Sequence, residues 1–179
     1  MRAFGLCLAA AMLSTAALSP AATAQIPPPG VQPLFTAQHG AWQVACSRVQ
    51  ADQQVFCNIA QAQPYQGSGQ ATLILGVQLR REGEYVFFFL PVGFKKDTDV
   101  TFVTDKKEAG ELKAVDGKAL RILPELSKTH IKQLAAGNFL VVQFVPNGED
   151  KKKVAKFDLA GFTASINDAR AQLKAAQGK

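Results

Sequence analysis

From Trp42 onward, large apolar side chains fall on every second residue: Trp42, Val44 and Cys46, then Val55, Cys57 and Ile59. A period of two is the strand period, so each set lines one face of a strand. Setting Cys46 opposite Cys57 also sets Val44 opposite Ile59 and leaves Gln50-Ala51-Asp52-Gln53 as the turn. A one-residue slip would turn one strand's apolar set to solvent. The pattern predicts a hairpin with both cysteines on its core face.

A second hairpin follows. Leu73, Leu75, Val77 and Leu79 alternate, Arg81-Glu82-Gly83-Glu84 reads as a turn, and residues 85–90 return. Phe87-Phe88-Phe89 is apolar on both faces and predicts a central strand covered on both sides. Glu82, Glu84, Pro91, Lys95 and Lys96 flank this aggregation-prone run. Shorter strands are expected at 100–103, 112–115 and 120–123, and a strongly β-branched and aromatic one at 139–145.

The period changes twice toward the C-terminus. Ser127 is placed to cap a short helix over 128–136, stopped by Gly137. Residues 154–159 alternate again, with Ala155, Phe157 and Leu159 on one face. Phe162, Ile166, Ala169 and Leu173 then recur at helical spacing and predict a closing amphipathic helix. Many short strands separated by turns favour a mostly β chain: an antiparallel β-sandwich with a short internal helix and a C-terminal helix.

The N-terminal segment has a different character. Arg2 precedes an apolar run over 6–18, and Ala22-Thr23-Ala24 is an A-x-A cleavage signal. Residues 1–24 therefore read as a removable export signal, too short in its apolar part to span a bilayer. Cys7 lies inside it. Residues 25–38 contain Pro27-Pro28-Pro29-Gly30 and Pro33 and predict an extended, mobile spacer. One domain is expected over 39–179, a length that suits one sizeable core. In an oxidising compartment the two remaining cysteines have one possible pairing, Cys46 with Cys57.

Charge adds little that is specific. The chain carries 20 Lys+Arg against 14 Asp+Glu, a net charge of +6. The clusters Lys95-Lys96, Lys106-Lys107 and Lys151-Lys152-Lys153 could line one end of a sandwich and meet an anionic envelope component. Solvated turns that keep the protein in solution are the plainer account of the same residues. Nothing in the chain favours nucleic acid as the partner.

Candidate chemistry is sparse. His39 and His130 are the only histidines, and neither has an acid or thiol nearby at metal-ligand spacing. Ser68, in Gln66-Gly67-Ser68-Gly69-Gln70, lacks the strand-to-helix context of a nucleophile elbow. Asp97, Asp99 and Asp105 do not have the spacing of a calcium loop. A ten-residue gap between cysteines across a hairpin is not the C-x-x-C of a thiol oxidoreductase. No catalytic, metal or cofactor residue is expected. A binder of a small apolar or lipidic molecule is the competing class, with a cavity between the sheets near Phe87, Phe89, Val142 and Phe144.

Several segments resemble the invasion-associated locus B family of exported bacterial proteins. Gly40-Ala41-Trp42-Gln43-Val44-Ala45-Cys46 is similar to its G-x-W-x-x-x-C opening, and Cys57-Asn58-Ile59-Ala60-Gln61-Ala62-Gln63 to its second cysteine strand. Leu90-Pro91-Val92-Gly93-Phe94 resembles its L-P-x-G turn, and Leu159-Ala160-Gly161-Phe162-Thr163-Ala164 its closing L-x-G-F-x-x-A. The resemblance implies a periplasmic or envelope-associated protein, linked in one lineage to host-cell entry. It supplies no reaction and no catalytic residues. It also implies a second cysteine pair in a C-x-x-x-G-C segment. Here that segment reads Lys113-Ala114-Val115-Asp116-Gly117-Lys118, so both cysteine positions are lysine.

Overall fold

The computed structural model describes residues 29–64, 72–105, 108–113, 117–121 and 124–177, with backbone alone for 108–127 and for 177. The elements run β1 (Val31–His39), β2 (Trp42–Val49), β3 (Val55–Pro64), β4 (Thr72–Arg80), β5 (Gly83–Phe94), β6 (Asp99–Thr104), β7 (Glu108–Lys113) and β8 (Gly117–Arg121). They continue with α1 (Pro124–Ala136), β9 (Phe139–Phe144), β10 (Lys153–Asp158) and α2 (Phe162–Gln177). Two antiparallel sheets result, ordered β1-β2-β3-β4-β5-β8 and β10-β9-β6-β7.

The first hairpin has the register its alternation predicts: Cys46 opposite Cys57 and Val44 opposite Ile59. Trp42, Val44, Cys46, Cys57 and Ile59 are all buried. The second hairpin pairs Val77 with Val86 and Leu75 with Phe88, and it directs Val86, Phe88 and Leu90 into the same core. Phe162, Ile166 and Ala169 are buried on α2, as helical spacing requires, and Leu173 packs against the same cluster.

Four expectations change. The stretch read as a spacer becomes a strand from Val31, because β1 pairs with β2 from Val31–Val49 to His39–Trp42. Proline and a bulge between Pro33 and Phe35 are tolerated there because β1 lies at a sheet edge. Helix α1 begins at Pro124 rather than at residue 128, so Ser127 lies inside it. Proline suits a first helical position, where its missing N–H costs no hydrogen bond. Strand β7 starts at Glu108 rather than at residue 112 and β8 at Gly117 rather than at residue 120; residues 114–115 and 122–123 of those expectations lie outside the described residues. Phe87 and Phe89 are half-buried on the face of β5 opposite Phe88. Of that outer face, Gly76 pairs with Phe87, whose ring lies where a Cβ would stand.

The second sheet lies across the first. At one end of the first sheet, Trp42 Nε1 donates to the Asp158 carbonyl, Gln63 Nε2 donates to the Lys156 carbonyl, and Phe94 bridges Pro146. These contacts step from β2 through β3 to β5 while moving along β10 to the end of β9. Helix α2 covers the rest of the inner face, against β1 to β4, and α1 packs on β5. The aromatic contacts Trp42–Phe162 (4.9 Å), Phe88–Phe102 (5.5 Å) and Phe94–Phe144 (5.8 Å) join sheet, helix and sheet into one core. Arg170 grips the Glu84 carboxylate with two 2.7 Å hydrogen bonds, tying α2 to the start of β5.

Candidate functional site

Two of the three basic clusters meet because two turns are laced together. Lys95 N donates to the Val145 carbonyl at 2.8 Å, and Asn147 N donates to the Gly93 carbonyl at 3.0 Å. Gly93 and Gly148 take positive φ in these turns, 84° and 80°, where a side chain would be strained. The turn after β5 is closed by Thr98, whose hydroxyl donates to the Lys95 carbonyl at 2.6 Å. Lys95, Lys96, Lys151, Lys152 and Lys153 thus share one corner of the molecule.

The corner is less basic than its lysine count implies. Lys95 Nζ lies 2.6 Å from Asp150 Oδ1, and Lys153 Nζ lies 3.2 Å from Glu149 Oε2. The hydrogen bond from Lys95, then its charge, holds the Asp150 carboxyl below its ordinary range. Lys96, Lys151 and Lys152 are exposed and have no acidic partner among the described residues, so they are the cations open to a ligand. The Glu149–Lys153 pair spans the turn into β10, where an i,i+4 spacing carries no helical signal. The Lys95–Asp150 pairing, 55 residues apart, carries no sequence signal.

Lys106 and Lys107 lie outside the described residues. Their described neighbours Asp105 and Glu108 stand at the far end of β6 from Asp99, about 20 Å away for six residues of strand. Lys113 closes β7 in the second sheet and Lys118 sits in β8 of the first, so these two positions belong to different sheets.

Both histidines, Asp105 and the two cysteines have structural partners. His39 Nε2 lies 2.7 Å from Asp168 Oδ2, joining the β1–β2 turn to α2. The ring of His130 packs 5.1 Å from that of Phe102. Asp105 Oδ1 accepts from the backbone N–H groups of Asn138 (2.6 Å) and Phe139 (3.3 Å), fixing the entry to β9. Asp97 and Asp99 are at the other end of β6, so the three aspartates do not converge. Ser68 lies outside the described residues. Cys46 and Cys57 are joined in a disulfide with Cα atoms 4.0 Å apart, and both are buried in the core.

The expected cavity between the sheets does not form from the residues named for it. Val142 and Phe144 are buried in the core, whereas Phe87 and Phe89 point to the outer face of the first sheet. Strand alternation forbids the four from sharing one space: Phe88 takes the inward position between the other two phenylalanines.

No helix among the described residues is long and apolar enough to cross a membrane. No curated protein and no solved structure matches the chain. A family model described as "Invasion associated locus B (IalB) protein" matches residues 42–170, from the buried Trp42 to Arg170 on α2. With that span covering most of the chain and its whole core, the protein belongs to the invasion associated locus B family.

Proposed function

We propose that this chain is a non-catalytic, exported envelope protein that works by contact, and that its contact surface is the lysine corner between the β5–β6 and β9–β10 turns. One observation carries the reading: two turns distant in sequence are bonded together so that Lys96, Lys151 and Lys152 project as unpaired cations. A cluster of open ammonium groups attracts phosphate- or carboxylate-rich surfaces, each lysine contributing about 1 kcal/mol near an anionic lipid surface. The partner is an anionic component of the envelope, in the periplasm or at the outer membrane.

Export is supported by the A-x-A signal, the buried disulfide and the family. The non-catalytic reading is supported by the structural partners of both histidines and of Asp105, and the family is not known as an enzyme family. A link to host-cell contact comes from the family name alone.

Crosslinking in intact cells followed by mass spectrometry tests the reading. Adducts through Lys96, Lys151 or Lys152 to an envelope component are expected. Recovery of no envelope adduct, or of adducts confined to other faces, would overturn it.

A further inference from the structure

At the end of the first sheet away from the Trp42 contacts, the last turn of α2 does not close onto the strands. Leu173 is the final large apolar side chain of the helix, and the next residue on its sheet-facing side is the half-buried Ala176. A methyl group cannot fill the gap that Leu173 fills one turn earlier. The gap opens as a recess of about 560 Å³ between Ala176 and the β2–β3 and β4–β5 turns. A second recess of about 160 Å³ shares Val55 and Ala176 with it and extends to Leu34 and Cys46. The larger recess falls within the size range of small-molecule sites.

Its chemistry is divided. The floor is apolar: Val49 and Val55, with Leu34 39% exposed at one side. The rim carries three guanidinium groups, from Arg48, Arg80 and Arg81. Arg80 is already occupied, with Nε donating to Gln78 Oε1 at 3.0 Å and Nη1 3.9 Å from Glu82. Asp52 stands on the same rim with its carboxylate charge intact, its Oδ1 accepting from Gln54 N at 3.0 Å. Arg48 and Arg81 have no acidic partner among the described residues. Three guanidinium groups against the carboxylates of Asp52 and Glu82 leave the rim with a net positive charge, beside an apolar strip of Val49, Val55 and Ala176.

We infer that this recess is a binding site for an anionic amphiphile, a carboxylate or phosphate group on an aliphatic chain. The headgroup is taken by Arg48 and Arg81, whose planar forks suit two-oxygen anions. The chain lies along Val55 beneath Ala175 and Ala176. This site is at the opposite end of β5 from the lysine corner and does not depend on it.

The test is calorimetric titration of the full-length protein, below micelle-forming concentrations, with dodecanoate, dodecyl phosphate, dodecanol and inorganic phosphate. Saturable one-to-one binding of either amphiphilic anion supports the site and tells a fatty carboxylate from a phosphorylated lipid. Dodecanol and inorganic phosphate are expected to bind at least about tenfold more weakly, each lacking one half of the recognition. Arg48→Gln with Arg81→Gln should weaken the anions about tenfold and leave dodecanol unchanged. Ala176→Leu should weaken every probe with a chain. Equal binding of dodecanol and dodecanoate, full binding by the double arginine variant, or no saturable binding would overturn the assignment. The arginine variant changes only side chains at the rim, so its folding, checked by circular dichroism, does not depend on the outcome for Ala176→Leu.

Discussion

The indole N–H of Trp42 donates to the backbone carbonyl of Asp158 at 2.9 Å, joining the first residue of β2 to the last residue of β10. The same ring meets Phe162 edge-on, so one buried side chain holds together a sheet, the crossing sheet and α2. Trp42→Phe keeps much of the apolar area but leaves the Asp158 carbonyl without its donor. We expect it to cost about 1–3 kcal/mol, and Trp42→Ala about 3–5 kcal/mol. Urea unfolding followed by circular dichroism checks both, since the only tryptophan is removed. Equal costs would mean that the hydrogen bond, rather than the ring volume, carries the effect.

The disulfide spans a hairpin that the core already holds in register. Replacing both Cys46 and Cys57 by alanine should lower stability by roughly 3 kcal/mol through the entropy of the unfolded chain. The protein should remain folded, because Trp42, Val44, Ile59 and their neighbours pack without it. A variant lacking cooperative unfolding in plain buffer would show that the staple is essential.

Two glycines with similar backbone angles should behave differently. Gly161 has φ +89° and a Cβ there would fall 2.2 Å from the His39 carbonyl oxygen, whereas Gly148 has φ +80° with nothing within 4 Å. Alanine at 148 should cost only local strain, about 1 kcal/mol. Alanine at 161 should cost at least about 2 kcal/mol, because the β1–β2 turn must also move. Thermal denaturation of the two variants gives the comparison, and equal shifts would contradict the close approach.

Retention on anionic vesicles should follow the open cations rather than the lysine count. Substituting Lys96, Lys151 and Lys152 together by alanine should weaken binding by about two orders of magnitude at low salt. Asp150→Asn releases Lys95 and should strengthen it. If Lys95→Ala alone matches the triple variant, the ion-paired lysine is the important one and the surface is wrongly drawn.

The same contact should be indifferent to pH across the physiological range. The Asp150 carboxyl is held below its ordinary value by Lys95. A depressed folded value means the pair is intact above the usual carboxylate range, about pH 4, and is lost only as pH falls through the lower folded value. Neither histidine belongs to the corner. Binding to vesicles of fixed charge should therefore be flat from about pH 5 to 8. A rise between pH 7 and 5.5 would indicate a histidine at the contact.

Much of the first sheet was legible because the middle of its inner face is buried. With alternate residues from Trp42 to Cys46, Cys57 to Gln61, Leu73 to Leu79 and Val86 to Leu90 buried, only one register keeps Trp42, Cys46, Cys57 and Ile59 together. Strand β1 was not legible, since its burial is intermittent and its prolines read as a spacer. Pro33 is admissible because β1 is an edge strand among the described residues, a fact of sheet order. The bounds of β7 and β8 shifted for a related reason: short strands are placed by partners such as Asp99 for Lys113 and Phe94 for Gly117.

Sequence by itself determined the two hairpins, the cysteine pairing, the amphipathic α2 and the family, because each rests on residue period or residue order. Tertiary structure decided which charges are spent and which are open. Lys95 has its charge paired with an aspartate 55 residues away, while Arg48 and Arg81 have no acidic partner among the described residues, beside a helix end too small to close its gap. Period is a local property and survives in one dimension. Pairing of charges and the fit of side chains across a gap depend on distances that exist only after the chain has folded.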